Sequence, residues 1–156
     1  LWRRVLDTGT PVVLILVNGK PLVLPAGLRA RTAAIVEAFN PGAAGGRAVA
    51  ELVFGEIEPR GRLPISFPEH AGQQPTYYNQ VRGQHGNAYA DLTQEPAFAF
   101  GEGLSYSSVE YGGLALAEGT VALGGTVEAA VTVTNTGARP VTETVQWYLQ
   151  RSWQPS

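Results

Sequence analysis

Apolar positions in this chain change their period from one stretch to the next, and each period predicts an element. Leu1, Trp2, Val5 and Leu6 recur at helical spacing, and Thr8-Gly9-Thr10-Pro11 stops that helix. Val12 to Val17 is apolar at every position. A strand that is apolar on both faces belongs in the middle of a parallel sheet covered by helices. Asn18-Gly19 signals a turn. The stretch AAIVEAF, Ala33 to Phe39, is short enough for a strand or a helix. A helical pattern begins soon after it, which favours a second buried strand. That helix runs from about Ala44 to Phe54: Ala44, Ala48 and Leu52 form one row and Val49 with Val53 the next, giving one apolar face. Gly55 is placed to end it in the left-handed conformation. Glu58-Pro59-Arg60-Gly61 reads as a turn, and RLPISF as a short strand limited by Pro64 and Pro68. The order helix, strand, strand, helix, strand predicts the last part of an α/β layered domain.

From Pro68 to Glu110 the regular patterns fail, and Gln, Gly, Asn and Tyr dominate. A long irregular stretch in a compact domain is usually functional or disordered. Tyr77, Tyr78, Tyr89, Phe98, Phe100 and Tyr106 supply the apolar area that argues for order. After Gly112-Gly113 the period becomes two. Val127, Ala129, Val131 and Val133 alternate with Glu128, Ala130, Thr132 and Thr134. NTGARP turns the chain, and Val145, Trp147 and Leu149 then alternate with Thr144, Gln146 and Tyr148. This is antiparallel β structure with one buried face, and Trp147 falls among its core positions. About 45 residues remain here, against roughly 100 for a full immunoglobulin-like sandwich, so this second domain reads as incomplete.

Composition removes several classes of function. The net charge is -2, without the basic stripe of a nucleic-acid binder, and Lys20 is the single lysine. There is no cysteine, which excludes disulfides, thiolate zinc sites and a cysteine nucleophile. His70 and His85 are the two histidines, too few and too far apart in sequence for a zinc site. No apolar run reaches the roughly 18 residues of a membrane span. The chain opens inside a helical pattern without an initiator methionine and stops just after a strand pattern, so both ends read as cut.

NPGAAGGRAVAELVFGEIEPRGRLPISFP, Asn40 to Pro68, poses a sharper question, because glycines that open a helix often cradle a phosphate. Gly42, Gly45 and Gly46 are followed by Arg47 and Ala48, not by the lysine and hydroxyl of a Walker loop. The Gly-x-Gly-x-x-Gly spacing of a dinucleotide site is absent as well. The glycines therefore serve close approach of the helix start to its neighbour. LVNGKPL, the stretch AIVEAFNPGAAGGRAVAELVFGEIEPRGRLPISFP and FAFGEGLSYSSVEY occur in this order and spacing. Together they resemble the C-terminal α/β-sandwich domain of family 3 glycoside hydrolases, the β-glucosidase and β-xylosidase group. VTVTNTGARPVTETVQWYL resembles the fibronectin-type-III-like domain that follows in many members. The last residues, from Arg151, depart from that pattern, as a truncation or frame error would make them.

The resemblance implies a fold in two parts. Residues 1–111 correspond to the C-terminal portion of a layered α/β sandwich with a long loop at 68–110. Residues 112–156 correspond to a truncated antiparallel β-sandwich of the immunoglobulin or fibronectin-III kind. It also implies a parent enzyme: a retaining, exo-acting β-glycosidase, foremost a β-glucosidase, acting on β-linked oligosaccharides or aryl and alkyl glucosides. No cofactor, metal, nucleic acid or membrane enters. Its nucleophile would be an aspartate in an N-terminal TIM barrel, and its acid/base glutamate would precede Leu1. Neither catalytic carboxylate then lies in this chain, which is expected to be inactive alone.

The carboxylates present have a plainer reading. Glu37, Glu51, Glu56 and Glu58 are expected on solvated surface or in local ion pairs with Arg60 or Arg62. Arg62 itself is expected to pair with a carboxylate or carbonyl oxygen. FGEGLSY reads as a structural staple between domains, a tight turn seated by Phe100, Leu104 and Tyr106, with Glu102 exposed. The stretch Tyr77 to Pro96 combines aromatic rings with planar hydrogen-bonding groups, as sugar sites do. Arg82, His85, Tyr89 and Asp91 are its candidate substrate-binding residues, lining the mouth or aglycone subsite of the whole enzyme; the plainer alternative is a loop ordered by its own hydrogen bonds and aromatic packing. A second class of function is a stand-alone carbohydrate-binding or scaffold module, which would bind glucose or cellobiose without catalysis. A nucleotide-binding α/β domain, the third, lacks its signatures.

Overall fold

The computed structural model describes residues 1–79 and 93–149. They fall into two compact units, Leu1–Ile57 with Gly61–Gly103, and Glu58–Arg60 with Leu104–Ser156. The first unit is mixed α/β and the second antiparallel β, as the sequence pattern requires.

The first unit opens with helix α1 (Trp2–Leu6), strand β1 (Val13–Leu16), helix α2 (Ala26–Arg29) and strand β2 (Ala34–Glu37). AAIVEAF is thus a strand, and it lies parallel to β1 in the register Val13↔Ala34 to Leu16↔Glu37. Parallel neighbours need a crossover connection of a dozen or more residues, and here it carries α2, an element the sequence pattern did not reveal. Gly9, at φ +79, ends the turn after α1 where the Thr-Gly-Thr-Pro signal placed it. Side chains fasten α1 to the α2 region. The Trp2 indole N–H donates to Thr32 Oγ1 at 3.0 Å, and Arg31 pairs with Asp7 at 2.7 Å. Leu6 and Leu24 are buried.

The run Val12–Val17 was expected to be covered on both faces. Instead β1 and β2 are half-exposed, with Val13 and Val17 exposed. The reason is visible in the packing: α1 lies on α2, and among the described elements no helix lies on the β1–β2 pair. The same holds for α3 (Gly45–Val53), whose predicted apolar face leaves Val53 and Phe54 exposed. Its termination follows the sequence reading, with Gly55 at φ +76. Its start also answers the glycine question. A Cβ on Gly45 would lie 2.5 Å from Pro41 Cγ, and Gly42 sits at φ +69. One glycine permits close approach and the other a left-handed turn.

RLPISF is not a strand. Pro64 lacks an N–H and interrupts the ladder, so pairing survives only on either side of it. Leu63 exchanges backbone bonds with Gly101 and Glu102 (2.7 and 2.9 Å), and Phe67 forms an isolated antiparallel bridge with Phe98. Around that bridge sits the best-buried part of the unit: Ser66, Phe67 and Pro68 are buried, and Ser66 Oγ accepts from Phe100 N–H at 3.1 Å. Phe67 and Phe98 meet edge to face at 6.2 Å, and the Arg29 guanidinium lies 5.5 Å from the Phe98 centroid while pairing with Glu69 at 2.6 Å. Each aromatic contact adds on the order of 1 kcal/mol beyond its area.

In the second unit, strand β3 (Val109–Leu116) pairs antiparallel with β4 (Ala129–Asn135) from Val109↔Asn135 to Leu116↔Ala129. The alternation at 127–134 foretold β4, whereas β3 went unread because Gly112-Gly113 looked like a boundary. A bulge absorbs those glycines between Gly112 and Ala115, with Gly113 at φ +62. NTGARP does turn the chain. Asn135 accepts from Ser107 Oγ (2.8 Å) and Gly137 N–H (3.0 Å) and donates to the Arg139 carbonyl (2.8 Å). Any Cβ on Gly137 would strike Ser107.

The strand expected at 144–149 does not form. Its approach is held by other bonds: Thr142 N–H donates to Glu58 Oε2 (2.8 Å) and Tyr111 OH to Glu143 (2.7 Å). Val145, Trp147 and Leu149 are exposed, so Trp147 is not a core residue among the described ones. A two-stranded ladder has no second layer to bury such a face against.

Candidate functional site

Two clusters in the first unit gather polar groups. The first lies where β1 and β2 end. In open α/β sheets ligands bind outside the carboxyl ends of the strands. Glu37 closes β2 there, opposite Leu16 of β1. Its Oε1 accepts from Phe39 N–H at 2.7 Å and its Oε2 from Asn18 Nδ2 at 3.3 Å. Asn18 N–H in turn donates to the Phe39 carbonyl at 3.1 Å, and Asn18 Oδ1 accepts from Lys20 N–H at 3.3 Å. Phe39 has φ +48, the left-handed region, which an aromatic residue enters at a cost. The expectation of a solvated Glu37, or one paired with Arg60 or Arg62, is therefore corrected. It is half-buried and serves a backbone N–H and an asparagine 19 residues upstream.

The second cluster surrounds Gln73, in a 3₁₀ turn (Ala71–Gln73). Gln73 is 8% exposed, and its amide is fully used. Oε1 accepts from Glu69 N–H (2.6 Å) and His70 N–H (3.4 Å), while Nε2 donates to the carbonyls of Thr93 (2.7 Å) and Glu95 (3.1 Å). This one side chain ties residues 69–70 to residues 93–95. Beyond it lie Tyr77 and Tyr78, both exposed, and Tyr78 stacks on Phe100 at 4.4 Å. The sequence reading missed Gln73, because its partners lie 20 and 22 residues away. A capping-box pattern of His70 and Gln73 was the one local signal. Arg82, His85, Tyr89 and Asp91 lie outside the described residues.

Of the other described carboxylates, Glu51, Glu58 and Glu102 have structural partners. Glu51 pairs with Arg47 one helical turn away, not with Arg60 or Arg62. Glu58 accepts from Thr142 N–H and Glu102 Oε2 from Ala99 N–H (2.8 Å). Arg62 Nη1 donates to the Gly61 carbonyl at 3.1 Å, the kind of partner expected of it. FGEGLSY forms the turn it promised, with Gly101 at φ +81 and Gly103 against the Gly61 carbonyl, where a Cβ would come within 2.7 Å. Leu104 and Tyr106, expected to help seat it, are both exposed. Among the described residues no three His, Cys, Asp or Glu side chains group to hold a metal.

Fold and sequence now meet known proteins. The glycosyl hydrolase family 3 C-terminal domain matches residues 1–106, and the chain belongs to glycoside hydrolase family 3. It is 39% identical to a periplasmic β-glucosidase of Salmonella typhimurium over 92% of this chain and 20% of that protein. It is 37% identical to a β-xylosidase of Formosa agariphila over 96% of this chain and 21% of that protein. Among solved structures, a β-glucosidase involved in saponin metabolism from intestinal bacteria superposes with a TM-score of 0.74 at 49% identity, over 84% of this chain and 20% of that one. The chain spans about one fifth of the length of the relatives it matches.

Proposed function

We propose that this chain is the C-terminal part of a retaining, exo-acting β-glycosidase, foremost a β-glucosidase. One observation carries the reading: the chain matches a β-glucosidase over 92% of its own length while spanning 20% of that enzyme. Retaining hydrolysis needs two carboxyl groups roughly 5–5.5 Å apart, a nucleophile and an acid/base. The first attacks the anomeric carbon while the second protonates the departing oxygen; the second then deprotonates the water that releases the sugar. Glu37, Glu51, Glu58, Glu69, Glu102 and Asp7 each have a structural partner in this chain. That supports a supporting role here, with both catalytic carboxylates elsewhere in the parent.

In this reading residues 1–111 wall one side of the sugar cleft, and residues 112–156 begin a fibronectin-III-like domain. Arg82, His85, Tyr89 and Asp91 contribute to the cleft mouth or aglycone subsite. The substrates are β-linked oligosaccharides or aryl and alkyl glucosides.

The test compares this chain with its full-length parent on p-nitrophenyl β-glucoside and β-xyloside. The parent is expected to turn over the glucoside, and the chain alone neither substrate. Turnover by the chain alone would overturn its inactivity. Measurable affinity of the chain for glucose or cellobiose, with an inactive parent, would favour a binding module instead.

A further inference from the structure

We propose that Glu37 is a positioning residue for the parent's reaction, acting by fixing the two loops at the carboxyl edge of the parallel strands. The inference rests on the glycosidase reading and adds a residue to it. Glu37 accepts from Phe39 N–H at 2.7 Å and from Asn18 Nδ2 at 3.3 Å. One carboxylate therefore holds the chain leaving β1 and the chain leaving β2. The left-handed Phe39, at φ +48, is a strained conformation for a residue with a side chain. A hydrogen bond from its N–H to an ionised acceptor is roughly twice as strong as a neutral one and offsets that strain.

The conformation at Phe39 directs the path of residues 40–45. Asn40 comes to Gly19, where a Cβ would lie 3.4 Å from Asn40 Nδ2, and Pro41 seats against Gly45 at the start of α3. Loops 17–20 and 38–42 are thus one stitched piece, bearing exposed Lys20 and Asn40 at the edge where α/β sheets bind ligands. Without the Glu37 acceptor, Phe39 has reason to leave the left-handed region, and both loops shift together. A misplacement of about 1 Å at a reacting geometry costs up to about 100-fold in rate.

The experiment uses the full-length parent with p-nitrophenyl β-glucoside, assayed well below the melting temperature of each variant. Glu37→Ala is expected to lower kcat by about 10- to 100-fold with KM changed less than about threefold. Glu37→Gln keeps an oxygen for Phe39 N–H but turns an amide N–H toward the Asn18 amide, so its kcat is expected to fall about as far as that of Asn18→Ala, between wild type and Glu37→Ala. Asn18→Ala should lower kcat less than Glu37→Ala, and the double variant should not fall by the product of the two. Should Glu37→Ala fail to fold, Glu37→Asp carries the test: its shorter arm cannot serve both partners, and kcat is expected to fall by about tenfold. Wild-type kcat and KM in Glu37→Ala, or in Glu37→Asp if that variant is the one that folds, overturns the positioning role. So does a Glu37→Gln enzyme as slow as Glu37→Ala. A wild-type parent inactive on both glucoside and xyloside overturns the glycosidase reading itself, and the two failures are told apart by which protein fails.

Discussion

The two units of this chain are held in different ways. In the first, a few residues are buried, Leu6, Leu24, Ser66, Phe67, Pro68 and Gln73, and Ser66 and Gln73 among them carry long-range side-chain bonds. In the second, none of the described residues is buried, and the order comes from the β3–β4 ladder and the Asn135 turn. A ladder spreads its hydrogen bonds over many residues, so no single side chain matters much. A clamp concentrates them, so one substitution can undo it. Sensitivity to mutation should therefore differ sharply between the units.

The largest effect is expected at Arg29. Its pair with Glu69 is 16% and 27% exposed, whereas the Arg31–Asp7 pair is 45% and 57% exposed. Breaking a part-buried pair from one side costs up to about 3 kcal/mol, because the remaining charge is stranded; an exposed pair contributes about 0–1 kcal/mol. Arg29→Ala also uncovers the Phe98 ring. Denaturant unfolding of the parent should separate Arg29→Ala from Arg31→Ala by about 2 kcal/mol, if the first unit melts as one cooperative body.

Next comes Gln73→Leu, which keeps bulk but strands two N–H groups and two carbonyls. Each unsatisfied buried group costs about 1–3 kcal/mol, less where water can enter, so a loss of about 2–3 kcal/mol is expected. Limited proteolysis between residues 74 and 92 should quicken in parallel. Unchanged cleavage would mean that residues 69–70 and 93–95 stay joined without the amide.

The smallest effect is expected at Trp147. It is 56% exposed, and Trp147→Ala made in residues 1–156 on their own should shift stability by less than about 0.5 kcal/mol. A loss of several kcal/mol would show that the second unit has a core of its own after all, and the contrast between the units would collapse.

How legible these features were depends on the reach of each signal. The start of α3 at its glycines, its end at Gly55, the parallel pair and β4 all rest on local period or on one residue's backbone freedom, and sequence carries both. RLPISF misled because an apolar run with favourable β residues still loses its ladder to Pro64. The strand at 144–149 misled because alternation describes a face, not the layer that must cover it. Of the two polar clusters, Glu37 was noticed but misassigned, and Gln73 was overlooked. Each has partners 19 to 22 residues away besides its local ones, and only the fold brings those near. The family resemblance reached further than any period did, because three motifs in register carry tertiary information that none carries alone.

Glu58, Pro59 and Arg60 belong to the second unit although they are encoded before most of it. Pro59 and Arg60 give their carbonyls to Ser105 and Thr144, and Glu58 gives its carboxylate to Thr142. A recombination breakpoint anywhere from residue 61 to residue 103 would hand on the tail without the Glu58 carboxylate, while the two carbonyls would be supplied by whatever residues stand at 59 and 60. Tails exchanged between relatives at such a point would inherit a foreign tripeptide at this seam. The genetic module is therefore larger than the visible domain, and selection should keep an acceptor side chain at residue 58 together with the tail it serves.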